Sequence, residues 1–174
     1  MLKKSGMKIL LFSYKRNMVF KFSSAKAVSY ANSFSNRGNP FYFVFDEEKE
    51  GVNFVSQCVL AGCDGINSQS CPDWYYINEK KYTESWVDVE KFKSYLLSKK
   101  SCGPVARIVS GRFVGVGDVV FCNDGNDKKT VGVVTKIENQ KIFFVTKGKR
   151  AVENSCEFEG ECDCVFLQII AVKK

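Results

Sequence analysis

The chain has 174 residues, 45% of them apolar, 14% aromatic and only three proline, which is the length and material of a single domain with one buried core. No apolar run approaches the ~20 residues of a membrane-spanning helix. The best run, Ile9-Leu10-Leu11-Phe12, is also too short for the ~7 to 15 residue core of a signal peptide. Histidine is absent, which excludes triads of the Ser/His/Asp and Cys/His kinds.

The net charge of +7 comes from the first 26 residues, where Lys3, Lys4, Lys8, Lys15, Arg16, Lys21 and Lys26 stand without an acid. The rest is balanced. A nucleic-acid binder carries a basic stripe over its folded surface, so no nucleic acid is expected as a partner and the arm reads as a solvated terminus.

In chain order, Lys8 to Phe22 alternates around Lys15-Arg16-Asn17 and predicts a hairpin with Ile9 and Leu11 opposite Val19 and Phe22. Residues 1–22 are therefore a basic arm or hairpin, and 23–174 the domain. Ser23-Ser24 can cap a helix on which Ala27, Tyr30, Ala31 and Phe34 share a face, stopped by Gly38-Asn39-Pro40. An aromatic stretch, Phe41 to Phe45, and an acidic turn, Asp46 to Glu50, precede a second, largely buried helix from Val52 to Ala61, ended by Gly62. Asp88 can cap a third, with Val89, Phe92, Tyr95 and Leu96 on one face and Ser101 to Pro104 terminating it. From Val105 onward the pattern turns to β-branched and aromatic runs at 105–109, 119–122, 131–137, 142–146 and 165–172, separated by turn clusters at 124–127 and 138–140. Helices first and an antiparallel sheet after them define the α+β class.

Cysteine is abundant: Cys58, Cys63, Cys71, Cys102, Cys122, Cys156, Cys162 and Cys164. Their spacings lack the close pairs of a structural zinc site, so no metal and no cofactor are expected. Free buried thiols or disulfides both remain open, with Cys63 to Cys71 and Cys156 to Cys162 as spacings that could close short loops. The acidic clusters 46–50 and 157–163 read as solvated loops rather than paired catalytic carboxylates.

Several blocks, in order, resemble the bacterial putative amidase domain family, which belongs with the papain-like and CHAP-type cell-wall cysteine amidases and peptidases. They are Ala27 to Ala31, Asn39-Pro40, Asn53-Phe54-Val55-Ser56-Gln57-Cys58-Val59-Leu60-Ala61-Gly62, Trp74-Tyr75-Tyr76, Ser85-Trp86, Gly103 to Arg107, Gly117-Asp118-Val119-Val120-Phe121 and Val133 to Ile137. The resemblance covers residues 24 to 146 and implies a papain-like amidase fold, with N-terminal helices packed on a C-terminal antiparallel sheet. In that family the helix block opens Gly-Gly-Asp-Cys-Thr, with the Cys as nucleophile, and a His opening a strand is the base. Laid on this chain, the nucleophile position is Gly51 and the base position Thr130; the third group would fall near Thr146 or Lys147. Neither residue of the pair can do its chemistry. Cys58, two helical turns after Gly51, reads as core.

The resemblance therefore implies a degenerate, catalytically inactive amidase-like domain, a pseudoenzyme acting as a binding or scaffold module linked to the bacterial cell envelope or spore. Its partner would be a protein or a cell-wall (peptidoglycan) peptide, and the groove candidates are Asn53, Gln57, Trp74, Tyr75, Tyr76 and Trp86. The alternatives are an active cell-wall amidase or peptidase with another nucleophile, and a structural protein cross-linked through its cysteines. Location divides the same way, envelope or spore by resemblance and cytoplasm by the missing signal peptide.

Overall fold

The Ser23 hydroxyl accepts from the Lys26 N–H (3.4 Å) and starts the first helix, α1 (Ser24–Phe34). Its buried residues are Ala27 and Ala31, small enough to let it lie close on the next helix. The structure is a computed structural model that describes residues 18–64, 66–123, 129–147, 153–157 and 163–174; Ile9 and Leu11, the first half of the expected hairpin, lie outside them.

The second helix, α2 (Glu47–Gly62), starts earlier than the sequence suggested. The acidic cluster is its first turn, not a loop: Asp46 caps the Lys49 N–H, and Glu47, Glu48 and Glu50 lie where the helix dipole favours negative charge. From Val52 to Val59 every residue is buried, so α2 is the axis of the domain. After it come a small hairpin, β2 (Tyr76–Asn78) and β3 (Lys81–Tyr82), a short helix α3 (Glu84–Val87), and α4 (Val89–Leu97), capped by Asp88 as expected.

The sheet is built around its last strand. With β1 (Val19–Phe20), β4 (Gly103–Val109), β5 (Val119–Asn123), β6 (Lys129–Glu138), β7 (Lys141–Val145), β8 (Glu153–Glu157) and β9 (Cys164–Lys173), it is antiparallel throughout. One edge of β9 pairs along β4; the other pairs first with β5 (Cys122↔Cys164 to Val119↔Leu167) and then with β1 (Phe20↔Val172). β5, β6, β7 and β8 continue as a meander. The β6–β7 turn holds Asn139 and Gln140 at φ 50° and 63°, the left-handed pair that a tight two-residue hairpin requires.

Strand alternation gives the sheet two buried faces. Val119, Phe121, Val131, Val133, Leu167 and Ile169 join the helices in the main core. Val120, Val134, Ile142, Phe144, Cys156 and Phe166, with Val114, form a second cluster to which no described helix contributes. The α+β class and the strands β4, β5, β6, β7 and β9 were legible in the sequence. The β2–β3 hairpin and β8 were not, and Glu157, assigned to an acidic loop, ends β8; β1 falls in the second half of the expected hairpin, and its described partner is β9. Within the stretch assigned to the arm or hairpin, Val19 and Phe20 pair with the end of β9 and Phe22 is core.

Disulfides join Cys71 to Cys102 and Cys122 to Cys164. The short loop from Cys63 to Cys71 is not closed, since Cys63 is a buried free thiol; Cys162 lies outside the described residues.

Gly117 and Asp118 lock the start of β5 to α1. Gly117 has φ +95°, and a Cβ there would lie 2.8 Å from the Ser24 Cα. Asp118 is buried, accepts from the Gly115 N–H (2.7 Å), and burial raises its carboxyl from 3.8 to about 6. Gly117→Ala should lower unfolding free energy by about 1 to 3 kcal/mol in urea titrations. Because the folded state holds the Asp118 proton more tightly, its contribution is most favourable below about pH 4 and is lost as pH rises to about 6. Asp118→Asn should flatten that slope, and an unchanged slope in urea melts taken across this range would contradict the assignment.

Candidate functional site

Gly51 is the fifth residue of α2 and stands on a face turned to β6. A Cβ built on it would meet the Val131 Cγ1 at 3.8 Å and no other described side chain within 4 Å. Space for a side chain therefore persists. The β6 residue facing Gly51 is Val131. Thr130 pairs in register with Cys122, and cross-strand partners point to the same face. Cys122 packs on the second cluster, away from α2, whereas Val131 belongs to the main core. Thr130, assigned to the base position, thus presents its hydroxyl to the other side of the sheet from Gly51, because a one-residue step along a strand reverses the face.

The dipole at this point is weak as an activator. Gly51 lies beyond the first turn, where the effect falls off, and that turn carries Glu47, Glu48 and Glu50. Glu50 is already engaged, accepting through Oε2 from the Phe45 N–H (2.9 Å) and from Asn53 Nδ2 (3.0 Å).

Asn53 and Gln57, one turn apart, are buried and bonded internally. Asn53 Oδ1 accepts from Trp86 Nε1 (2.9 Å), while its Nδ2 also donates to the Phe43 carbonyl (3.1 Å). Gln57 Oε1 accepts from the Tyr30 hydroxyl (2.6 Å), which accepts from Asn39 Nδ2 (2.8 Å). Burial pushes the Tyr30 phenol well above its ordinary range, so it is a neutral donor. Lys147, near which the third group would fall, donates from Nζ to the Phe34 carbonyl (3.1 Å) and lies 5.9 Å from the Phe54 ring centre. Burial lowers its pKa. Thr146 is buried against Gly132, to which it leaves no room for a Cβ: its Cγ2 would be 3.1 Å away.

The aromatic candidates are mostly core. Trp74, Tyr76 and Trp86 are buried at 1%, 5% and 0% exposure, and Tyr75 is half-buried. Trp74 packs on Trp86 (4.9 Å between ring centres) and Tyr95 (5.7 Å), and Trp86 continues to Tyr42 (6.2 Å) and Tyr76 (6.0 Å). This stack ends in an open depression of about 520 Å³, with Tyr42 and Tyr76 in its lining together with Phe41, Phe43, Val44 and Ile77, and with Asn78 and Glu79 supplying polar atoms. Phe41 is 88% exposed and Val44 66%. Asn53 Nδ2 donates to the Phe43 carbonyl, and the Tyr76 hydroxyl accepts the Phe43 N–H (2.8 Å), so the depression is anchored to α2 two residues from Gly51. These exposed side chains were not singled out as site residues, although the density of aromatics from Phe41 to Phe45 was the signal.

The described cysteines outside the two disulfides, Cys58, Cys63 and Cys156, are all buried. Cys58 is fully buried and Cys63 nearly so, and burial pushes both thiols far up, which keeps them protonated and inert.

A central buried helix, a helical lobe and an antiparallel sheet define an α+β domain. Residues 21–159 match the putative amidase domain family, and the chain belongs to that family. It is similar to the uncharacterized protein YhbB of Bacillus subtilis (strain 168), at 31% identity over 123 residues, covering 67% of this chain and 38% of that protein. A second protein of that strain, the uncharacterized YjcM, is 33% identical over 100 residues, covering 56% and 22%. The chain thus corresponds to well under half the length of either relative. No solved structure matches.

Gly51→Cys should fold with a stability change within about 0.5 kcal/mol, since glycine is the poorer helix former and the added atoms meet open space. Its thiol should alkylate in the native protein with the pH dependence of an ordinary cysteine. A markedly depressed thiol pKa in iodoacetamide kinetics would show that this end of α2 still activates a nucleophile.

Proposed function

We propose that this chain is a catalytically inactive member of the amidase domain family, of papain-like fold, that works as a binding or scaffold module associated with the bacterial cell envelope or spore. One observation carries the reading: at Gly51 the helix offers no nucleophile, and the strand residue that faces it is Val131, an alkyl group. No histidine elsewhere in the chain can take up the base role. Covalent amide hydrolysis needs a nucleophile and a base within hydrogen-bond reach, and losing both costs on the order of 10^6-fold by analogy with triad knock-outs.

The surface that suits a partner is the depression at Phe41, Phe43, Val44 and Ile77. Exposed aromatic and aliphatic side chains on a rigid floor give contact area at low entropic cost. The backbone beneath them is already satisfied: the N–H groups of Phe41, Phe43 and Phe45 bond to Asn39, Tyr76 and Glu50. Recognition therefore runs through side chains, and a cell-wall peptide or a protein segment bearing apolar groups fits that chemistry.

Two measurements test this. Incubation with peptidoglycan or a muramyl peptide should release no amino groups; release that a thiol reagent abolishes overturns the inactive assignment. The domain should co-sediment with purified sacculi, and Phe41→Ala should weaken that binding by about 1 to 3 kcal/mol without lowering the Tm. Binding indifferent to Phe41 would remove the depression from the reading.

A further inference from the structure

The rings beneath the depression are held by a disulfide. Cys71 and Cys102 have Cα atoms 5.4 Å apart but belong to segments that share no strand ladder. Cys71 lies in the stretch 66–75, which contains no helix and only the isolated bridge Cys71↔Trp74. Cys102 immediately precedes β4. From Cys71 the path runs to Trp74, whose N–H donates to the Cys71 carbonyl (3.4 Å) and whose Nε1 donates to the Ser56 hydroxyl (3.3 Å). From Cys102 it runs to Tyr95, whose hydroxyl donates to the Cys102 carbonyl (3.1 Å) and stands so close to Gly103 that a Cβ there would lie 1.9 Å away. Tyr95 stacks on Trp74, and Trp74 packs on Trp86, which carries Tyr42 and Tyr76. The disulfide is thus one end of a continuous line of contacts and the depression the other.

The second disulfide has a different setting. Cys122 and Cys164 are register partners in a ladder that continues through Phe121↔Val165, Val120↔Phe166 and Val119↔Leu167. Opening it leaves β5 and β9 paired. Opening Cys71–Cys102 releases a segment with no ladder of its own.

We propose that the Cys71–Cys102 disulfide is a redox switch for the depression; the proposal rests on the depression being the binding surface. A dithiol supplies the electrons. One of its thiolates attacks the Sγ of Cys102, the partly exposed residue of the pair where Cys71 is buried, the S–S bond breaks with Cys71 as the leaving group, and the second dithiol sulfur displaces Cys102 from the mixed disulfide. The reductant ends as a disulfide and its two hydrogens as the Cys71 and Cys102 thiols. The stretch 66–75 then loosens, Trp74 is left with its Ser56 bond and ring contacts, and the floor at Tyr42 and Tyr76 loses one of its supports.

The test uses the folded chain with Cys122→Ser and Cys164→Ser, treated with dithiothreitol, and the unaltered chain in parallel with alkylation and mass spectrometry to show which disulfide has opened. Reduction of Cys71–Cys102 should speed amide exchange in both 66–75 and 41–44 by about tenfold or more, with far-UV circular dichroism unchanged. Emission from the two tryptophans should rise as the neighbouring disulfide is lost, and reoxidation should restore both signals. Unchanged exchange at 41–44, or cooperative loss of the whole fold on reduction, would overturn the switch. None of these signals needs a ligand, so a negative result here leaves the sacculus experiment to stand or fall by itself.

Discussion

The side-chain amide of Asn53 is the contact on which the helical lobe depends. It is fully buried, and a buried amide left unpaired costs about 1 to 3 kcal/mol for each unsatisfied group. Here its oxygen takes the Trp86 indole N–H, and its nitrogen serves both the Phe43 carbonyl and the Glu50 carboxylate. Three segments that share no regular hydrogen bonding, the loop at 43–45, α2 and the chain at Trp86, are thereby fixed to one another. Ser56, one turn along, repeats the device: it donates to the Trp86 carbonyl (3.0 Å) and accepts the Trp74 indole N–H. The aromatic stack is positioned by these two polar groups more than by ring contacts, which are individually worth only ~0.5 to 1.5 kcal/mol.

On the reading proposed above, that arrangement explains how a nucleophile at position 51 is lost while its surroundings persist. Position 51 lies on α2, but the bonds that organise the helix start at 50 and 53 and run to 57. A change of residue at position 51 touches none of them, and the space beside Gly51 borders only an alkyl group. By contrast, changes at Asn53, Ser56 or Trp86 would strand buried donors and acceptors. On this ground the polar residues of the helix block act as fold determinants.

Sequence reasoning located the helices where side-chain caps exist, at Ser23 and Asp88, and the long strands where β-branched residues recur. It put the start of α2 too late because a run of acids was taken for a turn, when four acids before an apolar run are equally the signature of a helix N-terminus. It missed β8 because Glu153-Asn154-Ser155-Cys156-Glu157 carries few β-forming residues; its pairing with β7 is a tertiary effect. Pattern matching placed the base position at Thr130, one residue from the one that faces α2, and no linear comparison could have settled which parity of β6 looks inward. That required the register Cys122↔Thr130 and the assignment of Cys122 to the far face.

The disulfides carry the same lesson about distance. Short spacing suggested Cys63 with Cys71, yet the bonds formed span sequence separations of 31 and 42. In the chain-entropy description a loop of that size removes ~3 to 4 kcal/mol of unfolded-state freedom, about 1 kcal/mol more than closing the short Cys63 to Cys71 loop would. The two bonds differ in what they hold once folding is complete. Cys122–Cys164 reinforces strands that hydrogen bonds already join, so its contribution is mainly to the unfolded chain. Cys71–Cys102 supplies the only covalent or ladder connection of the described stretch 66–75 to β4, so it also restrains the native state, and it does so beside the rings that support the exposed aromatic surface.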